Sequence, residues 1–187
     1  MSDNKKLAIV LLLIAAVALL AGCAGQAKTV KTGDNVTVDY IGWYDNGTIF
    51  DTSNATIALQ NNIYDPSRTY TPLAFTVGNQ EVIPGFENAT IGMKAGESKN
   101  VTLLPADAYG EYDPTEIIPI NMSDFVELNV TPTVNMTLDN VFYWPVRVDS
   151  ININPADYNN STVMVDFNFP MAGKTLHFMI TVRSINA

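Results

Sequence analysis

The sequence predicts an α+β fold: a bent antiparallel β-sheet wrapped on a short helix, interrupted by a small β-rich insert domain. Three observations carry this. Several short stretches alternate apolar and polar residues, as half-buried strands do. One short helical candidate sits at Pro84-Gly85. Residues 115–165 are rich in Pro and Asn with only brief apolar runs, and they separate two blocks of strand pattern.

The elements follow in chain order. Val36-Thr37-Val38-Asp39-Tyr40 alternates cleanly, and Asp45-Asn46-Gly47 is a strong hairpin turn. The strand resumes at Thr48-Ile49-Phe50. Leu73-Ala74-Phe75-Thr76-Val77 alternates again and stops at Gly78. Glu81 to Ile91 reads as a short helix that ends before Gly92, and Ser98 to Leu104 as a strand. Leu176, Phe178, Ile180 and Val182 mark a closing strand. Between them, Val126–Val130, Val141–Val148 and Val163–Phe167 read as the strands of the β-rich unit.

With 47% hydrophobic and 16% charged residues among 187, the chain has ample material for a core. The formal charge is -9, and loss of residues 1–22 leaves 8 basic against 18 acidic side chains. Such an acidic surface repels phosphate backbones, which argues against nucleic acid as a partner. There is one cysteine, Cys23, so no internal disulfide forms.

The N-terminus reads as an address. Lys5 and Lys6 precede the apolar run Leu7–Leu20, and Leu20-Ala21-Gly22-Cys23 follows. That ending resembles a lipobox, in which the cysteine is lipidated and becomes the mature N-terminus. Residues 1–22 are then a signal peptide and 23–32 a lipidated tether. Two acyl chains, at ~0.8 kcal/mol per buried methylene, anchor stably. An uncleaved signal anchor is the alternative; both place the chain outside the cytoplasm, on the outer face of the cell membrane. Asparagine followed two places on by Ser or Thr, without Pro between, occurs ten times, at Asn35, Asn46, Asn54, Asn88, Asn100, Asn121, Asn129, Asn135, Asn159 and Asn160. Random placement gives roughly three. These are candidate glycosylation sites of an exported protein.

Longer motifs carry a resemblance. Gly33 to Tyr40, then Gly42, then Asn46 to Ser53 resemble the opening of the FKBP family of prolyl isomerases. Pro72 to Gly78, Val82-Ile83-Pro84-Gly85-Phe86-Glu87, Ile91 to Glu97 and Ala108 to Pro114 continue the likeness in order and spacing. Val165 to Leu176 is similar to the SlyD-like branch, in which an insert-in-flap chaperone domain interrupts the flap loop. The resemblance implies an isomerase domain over 33–114 and 164–187, and an insert over 115–163. It implies catalytic positions at Tyr40, Phe50, Asp51, Ile83, Phe86, Tyr109 and Phe178, with Leu73 and Val82 binding substrate. Phe86 would be the floor, Tyr40, Phe50 and Phe178 walls against the proline ring, and Asp51 a polarising group at the edge. The Ile83 N–H and the Tyr109 hydroxyl would hold substrate carbonyls. Phe86 stands where many members have Trp, and Phe169 where the branch has His.

Rotation about an X–Pro bond meets a barrier of about 18–20 kcal/mol from amide resonance. No bond breaks, so neither nucleophile nor cofactor is required and no metal is expected; a lone His177 supplies no ligand set. The partners implied are proline-containing unfolded or partly folded polypeptides and the membrane, with the protein a monomer. A peptide-binding holdase with little isomerase activity is the rival reading.

Overall fold

The computed structural model describes residues 27–139 and 144–186. The Leu7–Leu20 run and Cys23 lie outside the described residues, as does part of the Val141–Val148 stretch. The described chain forms two antiparallel sheets with a few short helices, an α+β architecture.

The first sheet has five strands. Strand β9 (Leu176–Asn186) lies between β1 (Asn35–Tyr44) and β4 (Ser98–Leu103). The other edge of β1 is shared in succession by β3 (Leu73–Thr76), opposite Asn35 to Val38, and β2 (Ile49–Thr52), opposite Ile41 to Trp43. Strict alternation decides the faces: Val36, Val38 and Tyr40 of β1 and Leu176, Phe178, Ile180 and Val182 of β9 are all buried on the inner side. That side is covered by helix α2 (Pro84–Thr90), with Phe86 and Ala89 turned inward. Pro84 suits the first helical turn, where its missing N–H is no loss. A shorter helix, α1 (Ala55–Gln60), follows β2. It starts at Asn54, whose side chain accepts from the Thr56 and Ile57 N–H groups at 2.9 and 3.2 Å; such a cap stabilises a helix by about 1 kcal/mol.

The second sheet has the order β5 (Ile117–Asn121), β8 (Thr162–Asp166), β7 (Val146–Asn152), β6 (Thr137–Leu138). Helix α3 (Met122–Glu127) packs Met122 and Phe125 onto it. Leu138, Val146, Val148, Val163 and Val165 complete a core separate from the first.

Three expectations need correction. The boundary at 163/164 falls inside β8: Val163 and Val165 are fully buried in the second core, so that unit extends to Asp166. Val126–Val130 is not a strand, because Met122 and Phe125 are spaced one helical turn apart and both insert into the core. Residues 28–32 are not a free tether. Val30 is 1% exposed, its N–H donates to Met93 O at 2.9 Å and its carbonyl accepts from Gly92 N at 2.9 Å. Lys28 pairs with Asp34 at 3.1 Å.

Candidate active site

The inner face of the first sheet opens into a cleft of about 460 Å³ between β1, β9, α2 and the chain around Tyr109. Tyr40, Asp51, Leu73, Val82, Ile83, Phe86, Tyr109 and Phe178, all anticipated, line it, together with Gln80 and Glu81, which were not. Phe86 forms the floor: it is 3% exposed, and the Tyr40 and Phe178 rings meet it edge-on at 5.8 and 5.2 Å. Edge-to-face pairs of this kind contribute about 0.5–1.5 kcal/mol beyond their area.

Phe50 is the anticipated residue that does not line the cleft. Its ring packs behind Phe178 at 5.6 Å, edge-on, and beside Tyr44 at 4.8 Å. Gly42 makes this possible: a Cβ there would lie 2.7 Å from Phe50 Cζ and 2.9 Å from Phe178 Cε1. Phe50 thus supports a wall rather than being one.

The polar end of the cleft is a closed network. The Tyr40 hydroxyl donates to Asp51 Oδ2 at 2.6 Å and accepts from Arg68 Nη2 at 2.8 Å. Arg68 Nη1 donates to Asp51 Oδ1, which also accepts from the Thr52 N–H at 2.8 Å. Burial, then the adjoining carboxylate, pushes the Tyr40 phenol well above its ordinary range. The hydrogen bond to Asp51 holds the Arg68 guanidinium even more firmly charged. Asp51 therefore reaches the cleft paired with a cation. No sequence pattern marks Arg68, which sits in a loop without periodicity. One signal was present: it is the sole Lys or Arg between Lys31 and Lys94, a stretch with seven carboxylates.

Two donors remain open. Among the described residues nothing accepts from the Ile83 N–H, while the Ile83 carbonyl is occupied by Phe86 N and Glu87 N at 3.0 and 3.1 Å. The Tyr109 hydroxyl likewise has no partner among the described residues. Its ring lies flat on Phe169, at 4.5 Å and 7°, and burial raises its phenol above the ordinary range. Tyr109 and Phe169 belong to the two chain segments that lead to and from the second sheet. These are pinned side by side: Asn168 Nδ2 donates to Asp113 O, and Asp113 N to Asn168 Oδ1, each at 2.8 Å. Gly173 N donates to Gly110 O at 2.9 Å.

His177 lies on the outer sheet face, away from the cleft. It is bonded to Asp45 at 2.7 Å and Thr102 at 2.9 Å and stacked on Trp43. No group of three or more His, Cys, Asp or Glu suited to a metal occurs among the described residues. All ten sequon asparagines are exposed.

The FKBP-type peptidyl-prolyl cis-trans isomerase family matches residues 26–182. The chain is 40% identical over 156 residues to a short-type peptidyl-prolyl cis-trans isomerase of Methanocaldococcus jannaschii, covering 83% of this chain and 94% of that one. It is 36% identical over 123 residues to the FKBP-type isomerase SlyD of Treponema pallidum, covering 66% and 67%. A probable FKBP-type 16 kDa isomerase of Pseudomonas fluorescens is 30% identical over 116 residues, covering 62% of this chain and 74% of its own. The chain belongs to the FKBP-type peptidyl-prolyl cis-trans isomerase family, enzymes whose substrates are proline-containing polypeptides.

Proposed function

We propose that the aromatic cleft rotates X–Pro bonds in proteins exported to the outer face of the cell membrane, and that the second unit is an insert-in-flap chaperone domain that holds unfolded chain beside it. The observation that carries this is the pairing of an apolar floor, Phe86 with Tyr40 and Phe178, with two unoccupied donors, Ile83 N–H and Tyr109 O–H.

The chemistry follows from that pairing. A planar X–Pro imide is charge-separated; the twisted transition state is less so. A water-poor aromatic surface therefore favours the twisted form over the planar one. The proline ring rests on Phe86, with Phe178 and Tyr40 at its sides. Ile83 and Tyr109 fix the carbonyls flanking the rotating bond, which leaves rotation as the one remaining freedom. The Tyr40–Asp51–Arg68 network keeps the walls in place and holds the cleft's carboxylate in its paired form.

The second unit presents Val126, Leu128, Val134 and Ile153 about half exposed, between 48% and 56%, apolar side chains available to unfolded chain. Capture there raises the effective concentration of proline at the cleft. Export is supported by the basic and apolar N-terminus and by the sequons, all on exposed asparagines.

The test compares the protein beginning at Ala24 with a variant in which residues 117–166 are replaced by a short Gly-Ser link. A protease-free isomerisation assay uses an X–Pro peptide, and a second uses a protein whose refolding is limited by proline. Peptide turnover is expected to survive the deletion while catalysed refolding slows. Equal refolding rates would remove the chaperone role. A folded protein that captures unfolded chain and catalyses neither reaction would be a holdase.

A further inference from the structure

We infer that the end of the isomerase domain around Lys28, Lys31, Lys94 and Lys99 is a base that meets anionic lipid headgroups, holding the second unit away from the membrane. This rests on the membrane tether read from the sequence, and on three features of the fold.

The first is the docking of the N-terminal segment. Val30 is locked to Gly92 and Met93, and Thr29 bridges Lys94. Residues 24–27 are then all that separates Cys23 from Lys28, five steps along the chain and at most about 18 Å when extended. A cleaved lipoprotein and an uncleaved signal anchor put the membrane at this same place, so a short leash presses this end of the domain against it.

The second is charge. Four of the eight basic residues that follow residue 22 are exposed here, against an overall acidic chain. The carboxylates of this end all have partners, and Asp34 and Lys28 balance each other, which leaves Lys31, Lys94 and Lys99 against Glu87 and Glu97. Asp34 is buried against Lys28 and the Lys31 N–H, and Glu87 is buried against the Gly78 N–H at 2.7 Å. Glu97 is exposed and accepts from the Lys94 N–H at 2.9 Å. The Lys99 ammonium reaches the Ala89 carbonyl near the end of α2 at 3.2 Å. Residues 115–167 are the opposite: seven acidic side chains with Arg147 as the sole Lys or Arg. An anionic surface attracts the first end and repels the second.

The third is strand direction. The first residues of β1 and β4 and the last of β9 lie at the lysine-bearing end. Tyr44, Leu103 and Leu176 lie at the other, from which both connections to the second unit leave. The 11 residues of β9 set these ends roughly 35 Å apart. The second unit thus faces outward, toward arriving chain.

Lysine footprinting on the full chain tests this. The protein is reconstituted in zwitterionic vesicles and in vesicles containing anionic lipid, floated, and treated with an impermeant acetylating reagent; each lysine is read by mass spectrometry. Lys174, over the Tyr44 ring at the far end, is the internal reference. Lys28, Lys31, Lys94 and Lys99 should react about fivefold more slowly on anionic vesicles, with Lys174 unchanged, and about 0.5 M salt should abolish the difference. A chain that floats with the four lysines reacting equally on both vesicles overturns the orientation alone. A chain that does not float overturns the tether and the orientation together.

Discussion

Two tyrosines border the cleft, and their hydroxyls sit in opposite circumstances, so removing each one separates catalysis from stability. Tyr109→Phe deletes an oxygen with no protein partner among the described residues and keeps the ring on Phe169 at 4.5 Å. The fold loses nothing by it. If the hydroxyl holds a substrate carbonyl, the transition state loses one hydrogen bond with a net value of about 0.5–1.5 kcal/mol. That corresponds to a fall in kcat/KM of roughly two- to twelvefold. Tyr40→Phe deletes an oxygen that donates to Asp51 and accepts from Arg68. Hydrogen bonds to charged groups contribute about 1.5–3 kcal/mol, and this pair is partly open to solvent, so a loss of about 2 kcal/mol is expected. The melting temperature should then fall by several degrees. The assay is paired: protease-free isomerisation of an X–Pro peptide, and thermal melting of the same samples. Full activity in Tyr109→Phe, or an equal loss of activity and melting temperature, would refute the assignment of Tyr109 as an unoccupied donor for substrate.

Two further outcomes follow from the same geometry. Gly42→Ala must displace the Phe50 and Phe178 rings, since both lie within 2.9 Å of the new methyl; overpacking of this kind costs about 1–3 kcal/mol, and the cleft wall should shift with it, lowering both stability by denaturant titration and peptide turnover. The Lys28 and Lys31 contacts hold the Asp34 carboxyl below its ordinary range, so its charged form favours the fold. That contribution is present above the usual carboxylate range and is lost as pH falls through the lowered folded value. Asp34→Asn should accordingly melt below the parent at pH 7, with the gap closing in acid; a pH-independent gap would mean that packing, not charge, is at stake.

What the sequence made legible was whatever alternation and turn chemistry encode. Val36, Val38 and Tyr40 alternate because one face of β1 is dry, and Asp45-Asn46-Gly47 makes the turn that alternation implies. The cleft residues Tyr40, Asp51, Phe86, Tyr109 and Phe178 were found through a resemblance, since no local pattern links positions so far apart. What escaped depends on tertiary contact. Arg68 is assigned by the company of Asp51, 17 residues away, and a solvated loop cation looks the same on paper. Phe50 is a wall residue by family pattern, and only the absence of a side chain at Gly42 shows that it lies one layer back. Val30 stands in a polar segment that reads as tether, and its burial depends on a partner at Met93. Helix α3 was hidden because Met122 and Phe125 alone, in six residues, are too few to display a period.

The pinned pair of chain segments at Asp113 and Asn168 sets how the two sheets share their cooperativity. The 54 residues between them form a closed loop whose ends the first domain already holds together. While the second sheet is folded, that closure is supplied from both sides. If the second sheet melts alone, the first domain must hold the ends of a flexible loop of this length, an entropic load of roughly 3.5 kcal/mol. Unfolding of the second unit is therefore felt as a loss of stability in the domain that carries the cleft, even though the two cores are separate.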